Sequence, residues 1–236
     1  MPAARTRRVA FLAPMRLELR PLVRPLGLDR ADAVGFRSGA LGPVEIVAAR
    51  TGIGPRAAAR TTERLLDSIP VDHVVVVGIA GGIGPGVAVG DLVVPERVLD
   101  LAAGTEHRPS ALGDTPPRGM LVTSDGLLID RDALARLERR GAVAIDMETS
   151  AAAAVCERRG CPWSVFRAIS DRADDGSIDP AIFGLASPDG GPDLPALARF
   201  LLLRPWRIPQ LVRLGRDSKL AARTAAAAAV RAVGHP

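Results

Sequence analysis

Apolar residues in this 236-residue chain fall into short blocks separated by polar turns rich in glycine and proline. Apolar-rich blocks at residues 9–13, 44–49, 73–77, 91–98, 120–123, 143–147 and 163–169 predict β-strands. The valine run after His73 has the pattern of a strand buried on both faces. Helical spacing of apolar positions predicts helices over 15–26, 56–68, 130–139 and 149–159, with Pro55 suited to the first position of the second. Strands alternating with helices predict an α/β fold with both sheet faces covered. Residues 180–195, rich in Pro, Gly and Asp, read as a loop or lid-like connection. Residues 196–203 read as a helix broken at Pro205 and Pro209, and 210–233 as a basic, alanine-rich helix.

Composition narrows the class. The length suits one sizeable domain, and 47% hydrophobic with 24% charged residues is ordinary for a globular protein. With 3% aromatics and no Tyr, the core must be built from Val, Leu, Ile and Ala. No apolar run reaches the length of a membrane span. The short apolar stretch after Arg5, Arg7 and Arg8 meets charge again at Arg16 and Glu18, too soon for a secretion signal, so a cytoplasmic location is expected. Cys156 and Cys161 match neither a redox pair nor a zinc ribbon, and His73, His107 and His235 have no companion ligands, so no metal is expected.

Charge is uneven. From Leu197 onward Arg199, Arg204, Arg207, Arg213, Arg216, Lys219, Arg223 and Arg231 face the single acid Asp217. The remainder is near neutral, which argues against a nucleic-acid-binding face and toward a tail with its own partner.

Two segments carry candidate chemistry. Ala144–Ser150 and Arg167–Asp171 each end an apolar strand with a carboxylate, Glu148 or Asp171. Carboxylates at the carboxyl ends of strands in an α/β sheet point into the crevice where small molecules bind. Each also has a plainer reading: Glu148 as a first-turn acid on a helix, Asp171 as a charged turn or N-cap. Glu18 on its own reads as a surface helix glutamate. The glycines after His73–Val77 serve either a tight connection or close approach to a ligand.

Gly78-Ile79-Ala80-Gly81-Gly82, then Val89-Gly90-Asp91-Leu92-Val93-Val94, Asp146-Met147-Glu148 and Arg167 to Asp174 together resemble the purine nucleoside phosphorylase and nucleosidase superfamily. The resemblance is nearest to the branch that removes adenine from methylthioadenosine and related nucleosides. It implies a single-domain nucleoside phosphorylase-like α/β fold, a twisted mixed sheet flanked by helices, over 5–203, with a basic C-terminal helical extension over 204–236. It implies Asp171 as the acid that protonates purine N7, Glu18 as the base that activates water, and Arg167 as support for water, phosphate or Glu18. Glu148 would hold the two ribose hydroxyls, with Met147 against the sugar and Asp146 in a secondary role. Ser170, Leu127, Leu128, Gly78, Ile79, Ala80 and Gly81 complete the implied substrate contacts. No cofactor is implied beyond water or phosphate as co-substrate; the partners implied are a small adenine nucleoside and a second copy of the chain in a homodimer or higher oligomer.

Departures from the family pattern matter too. Ile79 stands where relatives carry Ser or Thr, Leu127 where the adenine-specific enzymes present an aromatic, and Val76 where phosphorylases place an arginine. Arg16, Arg56 and Arg167 are the remaining candidates for phosphate, and hydrolysis is the simpler expectation. Arg204–Ser218 is similar to the ending of hopanoid-associated nucleoside phosphorylases, which implies a lipid-linked substrate, adenosylhopane. Trp206, Ile208, Leu211, Val212 and Leu214 among its arginines also suit a membrane surface or a packed closing helix. A lapsed relative that only binds nucleoside or membrane is the non-enzymatic alternative.

Overall fold

The computed structural model describes residues 6–173, 175–185, 187, 191 and 193–234. Arg5, Asp174 and His235, named above, lie outside them. Ten strands, β1 (Arg8–Ala13), β2 (Phe36–Leu41), β3 (Val44–Arg50), β4 (His73–Gly82), β5 (Leu92–Val93), β6 (Arg97–Asp100), β7 (Glu106–His107), β8 (Met120–Thr123), β9 (Ala142–Asp146) and β10 (Trp163–Arg172), form one mixed sheet. Its order is β2-β3-β1-β4-β9-β8-β6-β7, with β10 branching from β4 and carrying β5. The helices are α1 (Arg16–Val23), α2 (Pro55–Ser68), α3 (Arg131–Arg139), α4 (Thr149–Arg158), α5 (Pro180–Phe183), α6 (Leu194–Leu203) and α7 (Ile208–Gly234).

Side-chain alternation splits the core into two layers. Val9, Phe11, Val75 and Val77 point to one face and pack with Leu19 and Leu22 of α1 and the alanines Ala221 to Ala232 of α7. Ala10, Leu12, Val74 and Val76 point to the other, with Leu65 of α2 and Ala152, Ala153 and Cys156 of α4. The C-terminal half of α7 is therefore a structural layer, while its first turns are solvated. Alanine permits this because a small side chain lets the helix axis approach the sheet.

The structure corrects several expectations. The first part of the glycine run is strand, not connection: β4 continues through Gly82, paired with β10 on one side and, at Gly81 and Gly82, with Ile145 and Ala144 on the other. The predicted strand 91–98 is two strands, because Pro95 cannot donate to a ladder. Helix 15–26 ends at Val23, and Pro209 falls within the first turn of α7, where a missing N–H costs nothing. α5 lies inside the predicted loop, capped by Asp179, whose carboxylate accepts from Ile182 N. β2 and β7 carry no apolar alternation strong enough to read.

Candidate active site

Three carboxylates and one guanidinium converge from four elements. Arg167 on β10 is completely buried. Its Nη2 donates to Asp146 Oδ2 at 2.5 Å, Thr149 Oγ1 at 3.1 Å and Glu148 Oε2 at 3.4 Å. Its Nη1 reaches Glu18 Oε1 at 3.6 Å and Ile79 O at 3.3 Å. A delocalised planar cation with several donors suits such a fork better than lysine would.

Glu18 is 1% exposed, so it is no surface glutamate. It sits in the first turn of α1 and reaches back to accept from Met15 N at 2.6 Å, half of a capping box. Its other oxygen accepts from Ile79 N at 2.8 Å, across 61 residues. Burial pushes its pKa up to about 7 against the opposing pull of Arg167.

Glu148 makes no side-chain cap on α4. Asp146 takes that duty, accepting from Thr149 N at 3.4 Å and from the Thr149 hydroxyl, while Thr123 Oγ1 donates to it at 2.7 Å. Glu148 is thereby released to face the cavity. Its Oε1 accepts from Gly54 N at 2.9 Å, and burial raises its pKa while Arg167 restrains the rise.

Asp171 sits at an irregularity in β10. The register with β4 slips between Ile169 and Asp171, leaving Ser170 unpaired. Such a bulge re-aims a side chain at a strand end. Ser170 Oγ donates to Asp171 Oδ1 at 2.5 Å, and burial lifts the carboxyl to about 6.

Glu18, Asp146, Glu148 and Asp171 open onto one cavity of about 290 Å³. Met147, Ser170, Leu127, Leu128, Ile79, Ala80 and Gly81 also line it. Arg167 and Gly78 do not; they lie behind the wall. A Cβ on Gly78 would collide with Glu18 Oε1 and Arg167 Nη1. Gly78→Ala should therefore displace that pair, destabilising the fold by about 1–3 kcal/mol and lowering activity by a larger factor than stability alone explains. Unfolding titrations beside rate measurements check both.

The sequence did not point to Ile178, Ile182, Phe183 or Ser218, which complete the lining from α5, its preceding turn and α7. Phe183 is the one aromatic among the described lining residues, and it comes from α5. No motif marks these positions; only the packing of 175–185 and α7 beside the crevice does. Arg16 and Arg56, expected as phosphate candidates, are exposed and do not line it. Arg172 is the cation among the described lining residues, and it already donates to Gly84 O and Val87 O. Among the described residues, no group of three or more His, Cys, Asp or Glu could hold a metal ion. His73 and His107 are instead engaged with Ser164 and Glu157.

A mixed sheet whose strand ends gather carboxylates beside a small cavity is an α/β small-molecule site. The family model of the phosphorylase superfamily matches residues 8–118 and 100–187. The chain belongs to that superfamily, and is a nucleoside-cleaving enzyme of it. A 5'-methylthioadenosine/S-adenosylhomocysteine nucleosidase of Chromohalobacter salexigens is 33% identical over 168 residues, 58% of this chain and 72% of its own. The crystal structure of the corresponding nucleosidase from Neisseria meningitidis, in complex with methylthio-immucillin-A, matches 98% of this chain and 100% of that one. Its TM-score is 0.73 at 20% identity. The futalosine hydrolase of Helicobacter pylori matches 98% of this chain and 99% of its own, with a TM-score of 0.74 at 20% identity. These two structures share the fold, and their names differ in the substrate cleaved.

Proposed function

We propose that this enzyme hydrolyses the N-glycosidic bond of a 5'-substituted adenine nucleoside, releasing adenine. The convergence of Glu18, Glu148 and Asp171 on one cavity carries the reading. Water adds to C1' of the ribose as the C1'–N9 bond breaks, with an oxocarbenium-like sugar between them. The proton of the Asp171 carboxyl passes to N7 of the departing adenine, and Glu18 takes a proton from the attacking water. Glu148 accepts from the two ribose hydroxyls, Met147 lies against the sugar, and Arg167 positions Glu18 and Glu148 from behind. No metal or organic cofactor enters. Water, rather than phosphate, is favoured because Arg172 is tied to backbone carbonyls and Val76 is buried within β4.

Adenosylhopane is the substrate best suited to the chain as a whole. About 290 Å³ is the lower end for a ligand pocket, enough for the nucleoside but not for a polycyclic lipid. The lipid body would stay outside, past the apolar Ile178, Ile182 and Phe183. Methylthioadenosine or adenosylhomocysteine is the second reading, favoured by the curated relative. Adenine release should be measured from a panel of 5'-substituted adenosines and dispersed adenosylhopane, with and without phosphate. Release that requires phosphate overturns hydrolysis, and no release from any of them overturns the activity.

The pH dependence of acid and base follows from two of the three carboxyls that burial raises in the site. The acid must be protonated, and Asp171 titrates at about 6; the base must be ionised, and Glu18 titrates at about 7. The product of the two fractions peaks between these values. Accordingly kcat/KM should be highest near pH 6–7 and fall toward about tenfold per unit on either side. A profile still rising at pH 8 contradicts the assignment.

A further inference from the structure

We infer that the outer face of α6 and the first turns of α7 is a docking surface for an anionic lipid bilayer, beside the mouth of the cavity. Eleven large hydrophobic side chains among the described residues are exposed, and seven of them lie within 194–220. Trp206 is 73% exposed, Val212 66% and Leu202 83%. Scattered exposed apolar residues need no explanation; a cluster of this kind on one pair of helices does.

Helical geometry puts the α7 members of the cluster on one side. In α7, Ile208, Val212, Arg216, Lys219 and Leu220 recur at three- and four-residue spacing and are exposed. Leu211, Leu214 and Ser218 face inward, and Ser218 lines the cavity. Arg213 flanks the outer stripe, while Arg199 and Arg204 project from and beyond α6. The only acid between 194 and 220 is Asp217, which is half-buried, against six basic residues. An indole and aliphatic side chains framed by arginines match the boundary of an anionic membrane, where apolar burial and charge attraction add.

Charge selects the lipid over a second copy of this chain. A two-fold contact through the face would set arginines against arginines with no exposed acid of the same segment to answer them. The face is also joined to the cavity's cover. Arg207 Nη1 donates to Asp179 Oδ2 at 2.7 Å, and Gln210 Nε2 donates to Ser177 O at 2.8 Å. These bonds fix the stretch bearing Ile178, Ile182 and Phe183 to the start of α7. A bilayer on the outer face would therefore lie next to the opening, where a lipid-borne nucleoside would present itself.

The test needs no enzymatic activity. The full chain is sedimented with vesicles of phosphatidylcholine alone and of equal parts phosphatidylcholine and phosphatidylglycerol. Binding is expected with the second and not the first, and should fall as salt is raised. Trp163 is already buried, so a blue shift of tryptophan emission on the anionic vesicles reports Trp206 entering the interface. Arg213→Glu with Arg216→Glu should weaken binding by at least about tenfold, and Trp206→Ser should remove the emission shift. Unchanged circular dichroism confirms that these variants fold; should either misfold, the wild-type salt dependence and emission shift decide. Failure to sediment at low salt, equal binding to neutral vesicles, or an unshifted emission overturns the inference. So does a dimer in solution that Val212→Asp separates.

Discussion

Asp171→Asn is expected to lower the rate of adenine release about 10²–10⁴-fold while KM moves little. The amide keeps an oxygen to accept the Ser170 hydroxyl, now at 2.5 Å from Asp171 Oδ1, so the bulge in β10 should persist. What it cannot supply is a proton for N7. Adenine would then depart as an anion, and the barrier rises by the missing acid's share. Single-turnover kinetics separate this from a binding defect, since binding should survive when chemistry does not. An Asn variant that releases adenine at the parent rate would leave Asp171 without the role proposed for it.

Arg167→Met should have the largest effect on stability, about 3–5 kcal/mol near pH 8. The buried guanidinium is the cation facing Glu18, Asp146 and Glu148, all of them nearly inaccessible to solvent. Removing it leaves buried carboxylates uncompensated, and methionine fills only the volume. The sign of the pH dependence follows. The folded-state pKa of Glu18 already lies above that of an unfolded glutamate, and loss of Arg167 raises it further. The unfolded chain then releases protons that the folded variant retains, so its stability falls as pH rises above the unfolded value. The deficit against the parent should narrow as pH is lowered and the carboxylates neutralise. Denaturant unfolding at pH 8 and at pH 5 measures the difference, and a deficit independent of pH would mean that packing, not charge, is what Arg167 supplies.

Much of the architecture was legible in the chain. The valine run of β4, the apolar blocks of β1 and β3 and the helices with apolar residues at helical spacing announce themselves, because local spacing alone marks them. The carboxylates Glu148 and Asp171 were legible for the same reason: each closes a strand. Glu18 was not legible from its pattern, which is that of a solvated helix; the family resemblance alone suggested it. Its burial comes from the backbone N–H of Ile79, 61 residues away.

By itself, then, the sequence determined the alternation of strands and helices, the strand-end position of two carboxylates and the basic bias of the C-terminal segment. These are properties of neighbours along the chain. Tertiary structure decided the rest: that Arg167 joins three acids, that Gly78 is small because a side chain there would strike Glu18 and Arg167, and that Gly54 holds Glu148 across 94 residues. It also decided that the first part of the glycine run is strand, that Phe183 and Ser218 complete the cavity, and that one half of the basic helix is core while the other faces outward. Each of these depends on which remote segments meet, and on burial turning ordinary carboxyls into groups that hold their protons near neutrality. No local pattern encodes either.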